Sequence, residues 1–133
     1  MVATRCTELG YNAYLRRRLD EAEDWFRKSL TIFEELGDRP SMAVTYAQFG
    51  LLAEAREQPL LALEWNIRCV TLFDQFPSPL TGSGPAALVW LTRQLGQPAM
   101  QAAWQQITGQ SVPQAVRDYV TSHLDDDQPG GKP

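Results

Sequence analysis

The feature that most constrains the fold is an internal repeat with a period of 40 residues. Identical and similar pairs fall in two clusters, with variable residues between them. A repeated helical hairpin varies in this way, because only the contacts between its helices require fixed residue types. The identical pairs include Gly10/Gly50, Ala13/Ala53, Ala22/Ala62, Trp25/Trp65, Thr31/Thr71 and Phe33/Phe73.

Each repeat is predicted to contain two helices. Apolar or small residues at positions 6, 9, 10 and 13 follow the spacing of one helix face and predict a helix over 3–17. Asp20, with Glu23 three residues later, predicts the start of a second helix by a variant of the capping box. Gly37 is predicted to end that helix, because glycine reaches a positive φ without steric cost.

The second repeat carries its own start and stop signals. Pro40 and Pro59 are typical of a first helical turn and predict helices over about 40–56 and 59–74. Pro77 and Pro79 end this second hairpin. Three further helices are predicted at about 85–95, 98–108 and 112–124.

Small residues recur where the two helices of a hairpin cross. They allow close approach of the helix axes, while larger apolar residues fill the space around the crossing. The residues expected to pack within and between the repeats are Leu9, Gly10, Ala13, Ala22, Phe26, Leu30, Phe49, Gly50, Ala53, Ala62 and Trp65.

These signals predict an all-α chain of about seven helices in one domain over residues 1–124. The expected units are repeat 1 at about 3–37, repeat 2 at about 40–76, and a degenerate third repeat with a closing helix at about 84–124. Residues 125–133 are acidic and rich in Pro and Gly, and we expect this tail to be disordered.

Charge and composition exclude several functional classes. With 12 Lys+Arg and 16 Asp+Glu, the net charge of −4 argues against a general nucleic-acid binder. No apolar run approaches the roughly 20 residues that span a bilayer. One His and two Cys do not supply a typical zinc site, so we predict no metal and no cofactor. No nucleophile with a base and an orienting group is evident, so we predict no enzyme activity.

The repeated residues resemble the tetratricopeptide repeat (TPR) family. The resemblance rests on Leu9-Gly10, Ala13, Ala22, Phe26 and Leu30, with Phe49-Gly50, Ala53 and Ala62 in the second repeat. The period of 40 rather than 34 is similar to the longer variety in bacterial signalling ATPases of the STAND type. This resemblance implies antiparallel hairpins stacked as a right-handed superhelix, with a groove lined by the first helix of each repeat.

The resemblance also implies which residues line the groove. They are Thr4, Thr7, Tyr11, Tyr14, Val44, Ala47, Leu51 and Glu54, with Leu91 and Gln94 from the third unit. The set lacks the Lys/Asn/Arg residues with which chaperone-binding members hold a carboxylate. An apolar helix or an extended peptide with hydrophobic anchors is the expected ligand.

The predicted function is therefore a scaffold or adaptor for a protein or peptide partner, in the cytoplasm and in a bacterial regulatory system. One alternative is a structural dimerisation or end segment of a larger signalling ATPase, and another is a sensor of peptides or small molecules. Because no helix covers repeat 1, we expect a fragment of a longer array or self-association through helix 3–17. The nearly uncharged stretch 75–116 is a second candidate for self-association.

Overall fold

The computed structural model describes residues 2–126, and over this range every regular element is helical. The α-helices are α1 (Val2–Leu15), α2 (Leu19–Leu36), α3 (Arg39–Ala55), α4 (Pro59–Val70), α5 (Gly84–Leu95), α6 (Gln97–Thr108) and α7 (Gln114–Asp126). A short 3-10 turn, Pro79–Thr81, precedes α5. The prediction of an all-α fold with about seven helices is confirmed for this part of the chain.

The helices pack as consecutive hairpins. Helix α1 lies against α2, and α3 lies against α4, with short turns that make each pair antiparallel. Helix α2 also packs on α3, and α4 packs on α5, so each hairpin stacks on the next. Helix α5 contacts α6 and α7 in addition, and these three helices form the C-terminal end of the described stack.

The turns inside the first two hairpins have the same conformation. Arg17 and Glu57, exactly one period apart, have φ angles of 62° and 60°. The residue that follows each of them donates its N–H to the carbonyl oxygen of the residue five positions before itself, at 2.9 Å in both turns. This pattern is a Schellman motif, which usually carries glycine at the left-handed position. The 40-residue period is therefore a repeat of backbone geometry as well as of residue type.

The predicted capping box at the start of α2 is wrong. Helix α2 begins at Leu19, its N-cap is Arg18, and no side chain caps it. The carboxylates of Asp20 and Glu23 instead accept hydrogen bonds from the guanidinium of Arg56, both at 2.6 Å. This ion-pair group connects the start of α2 with the end of α3, and so joins the two repeats.

The signals between α2 and α3 act as expected, whereas α1 ends at Leu15 rather than at 17 and α4 also ends early. Gly37 adopts the left-handed conformation (φ 68°) after α2. Asp38 then caps α3 by accepting from the N–H of Ser41 at 3.2 Å. Helix α4 ends at Val70, four residues before the predicted end at 74, and residues 71–83 form a loop that includes the 3-10 turn.

Small residues hold the helices close together. A Cβ at Gly10 would stand 2.6 Å from the ring of Phe26, and one at Gly50 would stand 2.6 Å from the amide nitrogen of Asn66. Of the predicted packing residues, Leu9, Leu30 and Trp65 are half-buried, and the other eight are buried. These eight are Gly10, Ala13, Ala22, Phe26, Phe49, Gly50, Ala53 and Ala62.

The core has two clusters with a shared aromatic residue. One cluster is formed by α1, α2 and α3 around Phe26 and Phe49. The other is formed mainly by the four helices from α4 to α7, around Leu63 and Leu88. Trp65 packs against both clusters, and its ring stacks on Phe49 with centroids 4.4 Å apart.

The C-terminal boundary differs slightly from the prediction. Helix α7 continues through Asp126, so the predicted start of a disordered tail at residue 125 is two residues early. The rest of the predicted tail, residues 127–133, lies outside the described residues.

Candidate partner-binding groove

Exposed apolar side chains lie along the first helices of the two hairpins. Tyr11 on α1, with Val44 and Leu51 on α3, each expose between 39% and 49% of their surface. Tyr14 is half-buried, and its ring stacks on Tyr11 with centroids 5.8 Å apart. Ala47, between the two exposed α3 residues, is half-buried. We call the surface formed by these residues, and by the two cavities described next, the groove.

The first cavity of the groove lies between α1 and α3. Thr4, Thr7 and Val44, all predicted groove residues, line a cavity of about 160 Å³ together with Phe33, Ser41 and Thr45. The hydroxyl of Thr7 donates to the carbonyl of Ala3, and that of Thr45 to the carbonyl of Ser41. Because these hydroxyls bond to their own helices, the cavity offers mainly methyl and ring surface to a ligand.

The second cavity lies between the C-terminal end of α3 and α5. Glu54, Glu57, Pro59, Trp90 and Gln94 line it, and its volume is about 380 Å³. Glu54 is half-buried, and the removal of water raises the pKa of its carboxyl group above the ordinary value. The predicted groove residues Glu54 and Gln94 are thus brought together at this cavity.

The prediction that Leu91 lines the groove is wrong. Leu91 is 0% exposed and belongs to the core cluster around Leu88. Helix α5 is covered by α4 on one side and by α6 and α7 on others, so most of its faces are buried. On α5 the groove is lined instead by Trp90, which is 60% exposed and which lies 40 residues after Gly50 in the sequence.

Trp90 is a site residue that was not among the residues predicted to line the groove. Its side chain lines the second cavity and also a further one of about 200 Å³ beside Tyr119 and His123. The only signal was that this tryptophan has no counterpart in the other repeats. Trp104, the other tryptophan without a counterpart, is buried in the core.

The most reactive side chains, those of the cysteines and the histidine, are buried or stacked on a neighbour. Cys6 and Cys69 are buried free thiols, and burial raises the pKa of Cys69 to about 12, so its thiolate is not formed near neutral pH. His123 stacks on Tyr119 at 4.1 Å. Between residues 2 and 126 no three His, Cys, Asp or Glu side chains are grouped so as to hold a metal ion. Within the same range no helix is long and apolar enough to cross a bilayer.

Comparison with known proteins identifies the repeats. The family model described as "Tetratricopeptide repeat" matches residues 3–75, which is more than half of the chain and includes both hairpins with equivalent turns. No curated protein and no solved structure matches the chain. Members of this family are in general modules for protein–protein interaction. On the match over residues 3–75 and the stacked hairpins it covers, the chain belongs to the tetratricopeptide repeat family.

Proposed function

We propose that the chain is a scaffold that binds a protein or peptide partner in the groove. The observation that carries this proposal is the row of exposed apolar side chains at Tyr11, Val44 and Leu51. The opposite sides of the same helices are buried, at Ala13 and Ala53 for example. The three residues thus keep apolar surface that the packing of the hairpins does not cover and that is available to a ligand.

The energetics indicate how much of the groove a partner must use. Covering the exposed part of one such side chain contributes about 0.5–1.5 kcal/mol. Three anchors then contribute about 2–5 kcal/mol, whereas a micromolar complex requires roughly 8 kcal/mol. A partner of useful affinity must therefore also enter the two cavities beside Val44 and Trp90.

Self-association is a weaker reading of the same surfaces. On α1, the exposed Arg5 and Asn12 stand where repeat 2 has the buried Thr45 and Leu52, so this face of α1 is more polar than its counterpart. The charge-poor stretch 75–116 supplies much of the second core cluster, including Trp104, and burial accounts for its lack of charge. Neither observation favours a dimer.

The finer assignments rest on the sequence. We propose that residues 2–124 fold as one domain, because Trp65 packs against both core clusters. A place in a bacterial regulatory system, cytoplasmic and related to the STAND-type proteins, is proposed from the 40-residue period and from the resemblance of residues 32–55 to that variety.

The test compares groove variants with a matched control. Tyr11→Ala and Leu51→Glu alter the groove, whereas Leu36→Glu introduces the same charge at an exposed leucine at the end of α2. Peptides are selected from a random displayed library on the wild-type chain, and their affinities are measured by fluorescence polarisation. We expect at least tenfold weaker binding by both groove variants, unchanged binding by Leu36→Glu, and similar melting temperatures for all. Peptides that bind the groove variants as tightly as wild type would refute the proposal.

A further inference from the structure

The second cavity of the groove combines two carboxylates with an exposed indole. We propose that this cavity, lined by Glu54, Glu57 and Trp90, receives a basic side chain, Lys or Arg, of the partner peptide. The inference rests on the proposed function, because it specifies the chemistry of the partner that the groove binds.

Within the part of the chain that the structure describes, the two carboxylates have no cation of their own. Among residues 2–126, neither Glu54 nor Glu57 forms an ion pair. Arg56 lies between them in sequence, but its guanidinium is bound to Glu23 and Asp20 at the start of α2. The positive charge nearest to both glutamates in sequence is therefore paired with other carboxylates.

A backbone turn places the two glutamates together at the cavity. Glu57 has a left-handed backbone (φ 60°), and its N–H donates to the carbonyl of Glu54 at 2.9 Å. This turn brings both residues to the lining of the same cavity. Burial of Glu54 raises its pKa, and an incoming cation would offset that penalty by favouring the charged form.

The indole of Trp90 also favours a cation in this cavity. It is 60% exposed, and tryptophan is the best aromatic partner for a cation above its face. A carboxylate ligand would be repelled by Glu54 and Glu57, and an apolar ligand would remove water from them without replacing its hydrogen bonds. Charge complementarity thus favours an ammonium or a guanidinium over both alternatives.

The spacing of the two cavities gives the expected motif. Val44 and Glu54 are ten residues apart on α3, or about 15 Å along the helix axis. An extended peptide covers that distance in about four to five residues. The partner is then expected to carry an aliphatic residue for the first cavity and a basic residue about four to five positions away.

A titration with small probes tests the cavity directly. The ¹⁵N-labelled chain is titrated with Nα-acetyl-lysine methylamide, or with the norleucine or glutamate analogue. The readout is the indole N–H signal of Trp90, assigned with Trp90→Phe. We expect roughly five- to tenfold stronger apparent binding of the lysine probe than of norleucine. The double variant Glu54→Gln/Glu57→Gln should abolish this preference, and Glu35→Gln, at an exposed position on α2, should retain it.

Several results would overturn the proposal. They are an absent response of Trp90 to the lysine probe, an equal response to norleucine, or a stronger response to glutamate. Dimerisation that is lost in the double variant would identify a second copy of the chain as the occupant, and would also overturn it.

The displayed peptides separate this inference from the proposed function. If a selected peptide loses affinity in Leu51→Glu but not when its basic residue becomes norleucine, the groove binds peptides and the inference fails. If the lysine probe binds as expected but no peptide depends on Leu51, the cavity is a cation site and the proposed function fails.

Discussion

Replacing Gly10 by alanine is expected to destabilise the first hairpin, although alanine is normally the better helix former. The added Cβ would stand 2.6 Å from the Cδ1 and Cε1 atoms of Phe26 and 3.1 Å from the Cβ of Trp25. Carbon atoms in contact are ordinarily about 3.5–4.0 Å apart, so the ring must move by about 1 Å. Phe26 is buried against Phe49, which stacks on Trp65, and the displacement therefore reaches both core clusters.

The magnitude follows from two opposing effects. Overpacking of this kind costs about 1–3 kcal/mol, and the change from glycine to alanine within a helix recovers up to about 1 kcal/mol. We expect a net loss of about 1–2 kcal/mol in the free energy of unfolding for Gly10→Ala. Relaxing the neighbour with Phe26→Leu should make the alanine substitution less costly than it is in the wild-type background.

Gly50→Ala is the matched substitution in the second repeat. Its Cβ would meet the side-chain amide of Asn66, which can rotate away but then loses its 2.9 Å hydrogen bond to the carbonyl of Ala62. That loss of about 1 kcal/mol is offset by the helix preference of alanine, so a nearly unchanged stability is expected. Urea unfolding followed by circular dichroism measures both variants. Equal stabilities, or a stabilised Gly10→Ala, would refute the packing argument.

Three further predictions concern the turns and the ion pairs. Arg17→Gly and Glu57→Gly should each raise the free energy of unfolding by about 0.5–1 kcal/mol, because glycine adopts the left-handed backbone conformation of these positions without steric strain. A loss of stability in urea unfolding would contradict this prediction. A double-mutant cycle of Arg56→Met with Glu23→Gln should give a coupling energy of about 0.5–1.5 kcal/mol. The same cycle with Asp20, whose side chain is fully exposed, should give no measurable coupling energy. Equal coupling energies would refute this difference between the two ion pairs. Hydrogen bonding from Arg56 lowers the pKa of Glu23 in the folded chain. The stabilisation from this ion pair is therefore complete above the pKa of Glu23 in the unfolded chain, and it is lost as the pH falls through the pKa of Glu23 in the folded chain. Glu23→Gln should flatten this part of the acid unfolding profile, and an unchanged profile would contradict the assignment.

The hairpins could be predicted because their determinants are local and occur twice. Gly10 and Gly50 mark close helix approaches, and the period identifies them even though their neighbours, Phe26 and Asn66, differ. Pro40 and Pro59 lie in the first turns of α3 and α4, as such residues usually do. These signals depend on contacts within a single hairpin, and sequence patterns contain that information.

The errors arose where distant residues decide the outcome. Asp20 and Glu23 fit a capping box, but Arg56, more than thirty residues later, binds both carboxylates. Leu91 fits the groove only if the 40-residue register continues past the loop 71–83. The contacts of α5 with α6 and α7 bury it and expose Trp90 instead.

The central claim is that a partner binds along the groove, and one measurement tests it most directly. In a methyl cross-saturation experiment, a selected peptide is bound to the chain with labelled methyl groups, and transfer from the peptide is measured at each methyl. The account predicts strong transfer to Val44 and Leu51 and none to Leu36, although Leu36 is the most exposed of the three. Transfer that is strong at Leu36 and absent at Val44 and Leu51 would contradict the account.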